Sequence, residues 1–133
     1  MAHWTDRFVG PNDPQTDCGD LVQRVLREQF GREVALPSER WYAGAAGRER
    51  LRLMAAQLRE AVPALAVPTE QPAEGDLVLM HSGAAVMHAG VYCAIGGEGW
   101  VLHAAERLRA VILTRVRELE VKGYRLEGYY RWT

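Results

Sequence analysis

Two cysteines, Cys18 and Cys93, and four histidines, His3, His81, His88 and His103, are the residues whose types could support nucleophilic chemistry in this chain. Cys18 stands in the polar run Thr16-Asp17-Cys18-Gly19-Asp20, directly before a stretch of helical periodicity. A thiol at the first position of a helix faces backbone N–H groups and the positive end of the helix dipole, and both favour the thiolate. The same N–H groups could hold the oxyanion of a tetrahedral intermediate. An arbitrary cysteine is more often a small buried hydrophobe, but the polar flank argues against burial here. Cys93, within the apolar run Val91-Tyr92-Cys93-Ala94-Ile95, is explained by packing alone.

A thiol nucleophile needs a base. His88 opens Ala89-Gly90-Val91-Tyr92, where a strand leaves a small-residue loop, and Gly90 leaves space beside its ring. A hairpin turning over residues 96–99 pairs residues whose numbers sum to about 195. His88 and His103 sum to about 191, which makes them cross-strand neighbours within the few-residue uncertainty of strand ends. A second imidazole there could orient the first and select its tautomer. His81, at a strand end, and His3, near the start, are the alternatives for the base. Ser38 and Ser82 lack a GxSxG context, so serine catalysis has no support. Neither cysteine belongs to a CxxC or a Cys/His cluster, which argues against zinc.

These side chains need a scaffold. Leu21, Val22, Val25, Leu26 and Phe30 recur at helical spacing, with Asp17 as N-cap, Asp20 in the first turn and Gly31 at the C-terminus, predicting a helix over 17–30. Leu36-Pro37-Ser38 breaks the chain. Leu51, Met54, Ala55, Leu58 and Val62 then share one face of a second helix over about 48–62. Pro63, Pro68 and Pro72 predict an extended, irregular connection. Short strands follow at 76–80, 87–95, 100–104, 110–114 and 124–132, with a turn at 96–99 and a turn or short helical piece at 116–119. Helices first and an antiparallel sheet afterwards make an α+β domain.

The 133 residues, 48% hydrophobic and 25% charged, fit one globular domain spanning 1–133 that needs no disulfide or structural metal to form a core. Sixteen Lys and Arg against seventeen Asp and Glu, with no basic-aromatic segment, argue against a nucleic-acid partner. No signal-peptide h-region and no apolar run near the ~20 residues of a membrane span occur. The expectation is synthesis in the cytoplasm, with no membrane partner and a disulfide disfavoured.

Four blocks, in this order, resemble the NlpC/P60 family of papain-like cysteine peptidases that cut peptidoglycan stem peptides, in particular the small forms encoded with phage-type tails. Asp17-Cys18-Gly19-Asp20-Leu21-Val22 is similar to the family's D-C-S-G-L-V motif, and Gly75-Asp76-Leu77-Val78 to its G-D-L-V-F strand. His88-Ala89-Gly90-Val91-Tyr92 resembles its H-V-G-I-Y base motif, and Val101-Leu102-His103-Ala104 the strand carrying its third polar residue. The resemblance runs from about Phe8 to Tyr130. It implies a papain-like fold with N-terminal helices packed on a C-terminal antiparallel sheet, and an endopeptidase in which Cys18 is nucleophile, His88 base and His103 orienter, without a metal or organic cofactor. It also implies an upstream aromatic completing the oxyanion pocket. Trp4 and Phe8 are the candidates, of which only Trp4 has an N–H to donate; Asp17 is placed with Trp4 on the oxyanion and substrate-binding side. Gly19-Asp20 stands where the family has Ser-Gly, and a carboxylate there opposes thiolate formation.

The histidine follows the cysteine, unlike the lecithin:retinol-acyltransferase-like branch. CHAP-like amidases share the order but typically carry an acidic or amide residue where this chain has His103. Besides that amidase, a tail-assembly protein or a processing protease retaining the fold are the alternatives. The implied partners are a peptidoglycan peptide and phage-tail proteins, with delivery by a tail or similar machine to the wall or periplasm.

Overall fold

The computed structural model describes residues 3–13, 16–36, 47–82, 86–105 and 108–133. Among the described residues there are two helices, α1 (Cys18–Phe30) and α2 (Gly47–Leu65), and seven strands: β1 (Gly10–Pro11), β2 (Ala66–Thr69), β3 (Leu77–Ser82), β4 (Val86–Ile95), β5 (Glu98–Ala105), β6 (Ala110–Arg115) and β7 (Tyr124–Trp132). All seven join one antiparallel sheet in the order β1-β6-β5-β4-β3-β7-β2. Together they make the α+β architecture that the residue patterns predict.

α1 begins where its capping chemistry dictates. Asp17 Oδ1 accepts from Asp20 N–H at 2.9 Å, and Asp20 Oδ2 accepts from Asp17 N–H at 3.3 Å. Gly31 ends the helix in the left-handed region, φ 64°. Leu21, Val22, Val25 and Leu26 are fully buried, whereas Phe30 is 37% exposed at the helix end.

α2 buries Ala55, Leu58 and Val62 as the periodicity predicts; the side chains of Leu51 and Met54 lie outside the described residues, as do Pro37, Ser38 and the chain to 46. The helix does not stop at Pro63. It runs to Leu65, because Pro63 and Arg59, whose carbonyl the proline ring leaves without a donor, are both solvent-exposed, and only two residues follow. The connection expected to be irregular also contains β2. This strand pairs with the end of β7 (Ala66 with Trp132, Thr69 with Tyr129) and forms the sheet edge, where Pro68 is tolerated.

Gly96 and Gly97, at φ 61° and 78°, form a two-residue turn, so β5 resumes at Glu98, earlier than a 96–99 turn would allow. A 3₁₀ turn occupies Val116–Glu118, and another Trp4–Arg7.

Strand alternation divides the sheet into two faces. Leu77, Leu79, Met87, Ala89, Val91, Leu102, Ala104 and Val111 share one core with Cys18, Leu21, Val25, Leu26, Leu58 and Val62. The interleaved Val78, Met80 and Val101 share a second with Leu119, Tyr92, Tyr124 and Tyr129. α1 contacts β4 and β5, and α2 contacts β4 and β2.

Candidate active site

The hairpin brings His88 and His103 together. Val91 faces Leu102 and Ile95 faces Glu98; continued, that register puts Gly90 opposite His103, so the two histidines are diagonal neighbours on one face rather than directly opposed. His88 Nε2 lies 2.9 Å from His103 Nδ1, with the rings at 82°. Gly90 makes this approach possible. A Cβ on residue 90 would stand 2.5 Å from Val101 Cγ1, 2.9 Å from the Leu102 carbonyl oxygen and 3.2 Å from His103 Cβ. The backbone oxygen cannot yield as a side chain does. Gly90→Ala is expected to cost about 1–3 kcal/mol of stability by overpacking and to part the histidines, which urea unfolding and imidazole NMR would register.

Both rings are buried, His103 completely. Burial disfavours the imidazolium and pushes His88 down to about 3, with the neighbouring His103 adding to the effect, and burial pushes His103 down to about 4. At neutral pH both are neutral, each with one N–H. With Nε2 of His88 engaged by His103, the nitrogen that can take a proton from a thiol is Nδ1.

Two further residues complete the cluster, and neither was singled out from the sequence. Thr114 on β6, itself buried, places Oγ1 2.9 Å from His103 Nε2. His103 faces Ile112 in the β5–β6 register, which leaves Thr114 on the same face one step along. That ladder was the signal for it. Tyr124, the first residue of β7, stacks on His88 (centroids 5.0 Å, 26°) and meets His103 edge-on (4.9 Å, 83°). A β-bulge puts it there: Leu79 faces Gly128 but Met80 faces Leu126, so Glu127 is an extra residue, and beyond it Tyr124 turns to the face of Met80 and His88. Periodicity in β7 alone gives no sign of that shift.

Cys18 occupies the first position of α1, as the capping pattern requires. The expectation that its polar flank keeps it exposed is overturned, for Cys18 is 2% exposed and Asp17 and Gly19 are buried with it. The two aspartates satisfy each other's backbone N–H through the capping box, so the polar flank can be buried at low cost. Cys18 packs in the core with Ala89 and Ala104; His88 and His103, one residue away along each strand, alternate to the face of Met80 and Tyr124. Asp17 serves as the N-cap. Neither cysteine forms a disulfide. Cys93 is buried, and desolvation, with the charge of Glu74 adding to it, pushes its thiol up to about 12. In the native protein Cys93 should therefore stay unreacted toward iodoacetamide, whereas Cys18, buried too but at the positive end of α1, should be the thiol that is labelled, with peptide mass mapping as the check.

Trp4 does not stand beside Cys18. Its ring lies edge-on to Phe30 at 5.2 Å, and its indole N–H donates to Glu74 at 3.1 Å. Phe30 is at the opposite end of α1, about 18 Å along the axis from Cys18 at 1.5 Å per residue. This corrects Trp4 as an oxyanion donor: the aromatic staples the N-terminal segment to the end of α1 and to the turn before β3. Phe8 is buried in the same core, with Arg24 over its ring at 5.2 Å. His81 pairs with Glu127 at 3.2 Å, and the His3 ring caps the first 3₁₀ turn. Neither of the alternative bases joins the His88–His103 cluster. Among the described residues no three His, Cys, Asp or Glu side chains gather to hold a metal ion, and no helix is long and apolar enough to cross a membrane.

Among curated proteins none matches the chain. The model of the NlpC/P60 family, whose members are generally cell-wall cysteine peptidases, matches residues 6–126. That span takes in α1, both histidine strands and the bulged start of β7, and with it nearly the whole chain: the protein belongs to the NlpC/P60 family.

Proposed function

We propose that the protein is a thiol endopeptidase that hydrolyses amide bonds in peptidoglycan stem peptides on a papain-like scaffold, its helices laid against the sheet. The observation that carries this reading is the buried, neutral His88–His103 pair, joined at 2.9 Å within a chain of a cell-wall peptidase family. Cys18 attacks the scissile carbonyl carbon while its proton passes to Nδ1 of His88. Backbone N–H groups in the first turn of α1 hold the resulting oxyanion, and the leaving amine takes the proton back from His88. A water then adds to the thioester, His88 accepts its proton, and the acid product leaves with the thiol restored. His103 holds the His88 ring in orientation and is a positioning residue. Association with a phage tail or similar delivery machine belongs to the same reading, supported by the likeness of the four sequence blocks to the small tail-encoded members. Finding the protein in purified tail particles would test that part.

A second reading, a family member that keeps the fold without catalysis, is favoured by the 2% exposure of Cys18. Incubating purified sacculi with wild-type protein and with Cys18→Ala, and identifying released fragments by mass, separates the two. Peptide fragments cut at one defined amide bond and absent with Cys18→Ala support the peptidase; no release by the wild type supports the second reading.

A further inference from the structure

His103 is fully buried and both its ring nitrogens are engaged, Nδ1 by His88 and Nε2 by Thr114 Oγ1, each at 2.9 Å. A neutral imidazole has a single N–H. Two proton arrangements therefore satisfy the chain of contacts. In one, His88 Nε2–H donates to His103 Nδ1 and His103 Nε2–H donates to Thr114 Oγ1, which leaves Nδ1 of His88 bare. In the other every proton is reversed: Thr114 donates to His103, His103 donates to His88, and Nδ1 of His88 already carries a proton. Only the first can accept a proton at Nδ1 of His88. Only the first also tolerates the charged His88 that follows, because in the second arrangement two N–H groups would point at each other across 2.9 Å.

We propose that Thr114 is a positioning residue for this site: by accepting the Nε2 proton of His103 it keeps Nδ1 of His103 bare, holds the His88 proton on Nε2 and leaves Nδ1 of His88 ready to take a proton from Cys18. The proposal rests on the peptidase reading for its consequence in turnover, while the proton arrangement itself is a property of the resting protein. Thr114 never reaches the substrate, since His103 lies between it and His88. Its acceptor is needed because a buried N–H without a partner is among the least tolerated groups in a protein interior. Tyr124, stacked on His88 and edge-on to His103, covers the same pair.

Two-bond ¹H–¹⁵N spectra of the imidazoles at pH 7, on ¹⁵N-labelled wild type, Thr114→Val and Thr114→Ser, read the proton positions directly. In the wild type both His88 and His103 should carry the proton on Nε2. Thr114→Val should move it to Nδ1 of both rings, shifting the tautomer ratio about tenfold or more, and Thr114→Ser should keep the wild-type pattern. Turnover of sacculi should fall about 10- to 100-fold in Thr114→Val, mainly in kcat, and recover in Thr114→Ser. If Thr114→Val does not fold, Thr114→Ala provides the same loss of acceptor with less branching. Wild-type spectra with the proton on Nδ1 of His88, or a valine or alanine variant with unchanged proton positions, would overturn the proposal. The spectra require no turnover: wild-type activity in Cys18→Ala would remove the peptidase reading and leave the tautomer result standing.

Discussion

Cys18→Ala and His88→Ala should each reduce turnover of sacculi to near background, a loss of about 10⁴-fold or more, and the double variant should lose little beyond either single one. The reason is that the thiol and its base act as one unit. Without Cys18 no thioester forms, and without His88 the thiol keeps its proton, so removing the second partner takes away an interaction already lost. His103 stands differently. It touches His88 and Thr114, and its removal leaves nucleophile and base able to meet, less often and with a mixed tautomer. His103→Ala should retain a measurable remainder, and His103→Asn more, because an amide oxygen can accept the same hydrogen bond. Circular dichroism would establish that the variants fold. A folded His103→Ala as inactive as Cys18→Ala would show that His103 does more than position its neighbour.

Acidification should destabilise the fold steeply, and well before the carboxylates titrate. His88 and His103 are held neutral by burial, at about 3 and 4, against an ordinary value near 6.5 in the unfolded chain. Below pH 6.5 the unfolded state therefore binds protons that the folded state does not, and stability falls with falling pH. It is complete above about pH 6.5 and is lost across the window down to the folded values. From pH 7 to pH 5 each histidine contributes a loss of about 2 kcal/mol, about 4 for the pair, a large part of the ~5–15 kcal/mol typical of a domain. Urea midpoints at pH 7, 6 and 5 would measure it. His103→Asn should roughly halve the slope and so separate the pair from His3 and His81. A midpoint that does not move over this range would mean that the pair is not held neutral in the fold.

Local patterns in the sequence determined much of the scaffold. Asp17, Asp20 and Gly31 delimit α1 because capping is a contact between residues a few positions apart. The glycines at 96 and 97 imply the β4–β5 hairpin, and hairpin register alone places His88 and His103 on one face, since a tight turn leaves little freedom in which residues meet. Tyr124–Trp132 is a strand within the bounds its apolar and aromatic pattern predicts. The four blocks also carry the family, which the match over 6–126 establishes.

Tertiary structure decided what depends on partners distant in the chain. Ala66–Thr69 becomes a strand because the end of β7 offers its backbone N–H and C=O groups, overriding the prolines that argue for an irregular connection. Trp4 goes to Glu74, seventy residues away, rather than to Cys18. Cys18 is buried because the start of α1 packs into the core, where the capping box supplies acceptors for the backbone N–H groups of Asp17 and Asp20. The chemistry of the histidine pair is completed by Thr114 and Tyr124, one delivered by the β5–β6 ladder and the other by a single extra residue at Glu127. Local propensity records which residues prefer a strand; which of its two faces each side chain takes is set by pairing with other strands, and one bulge reverses it.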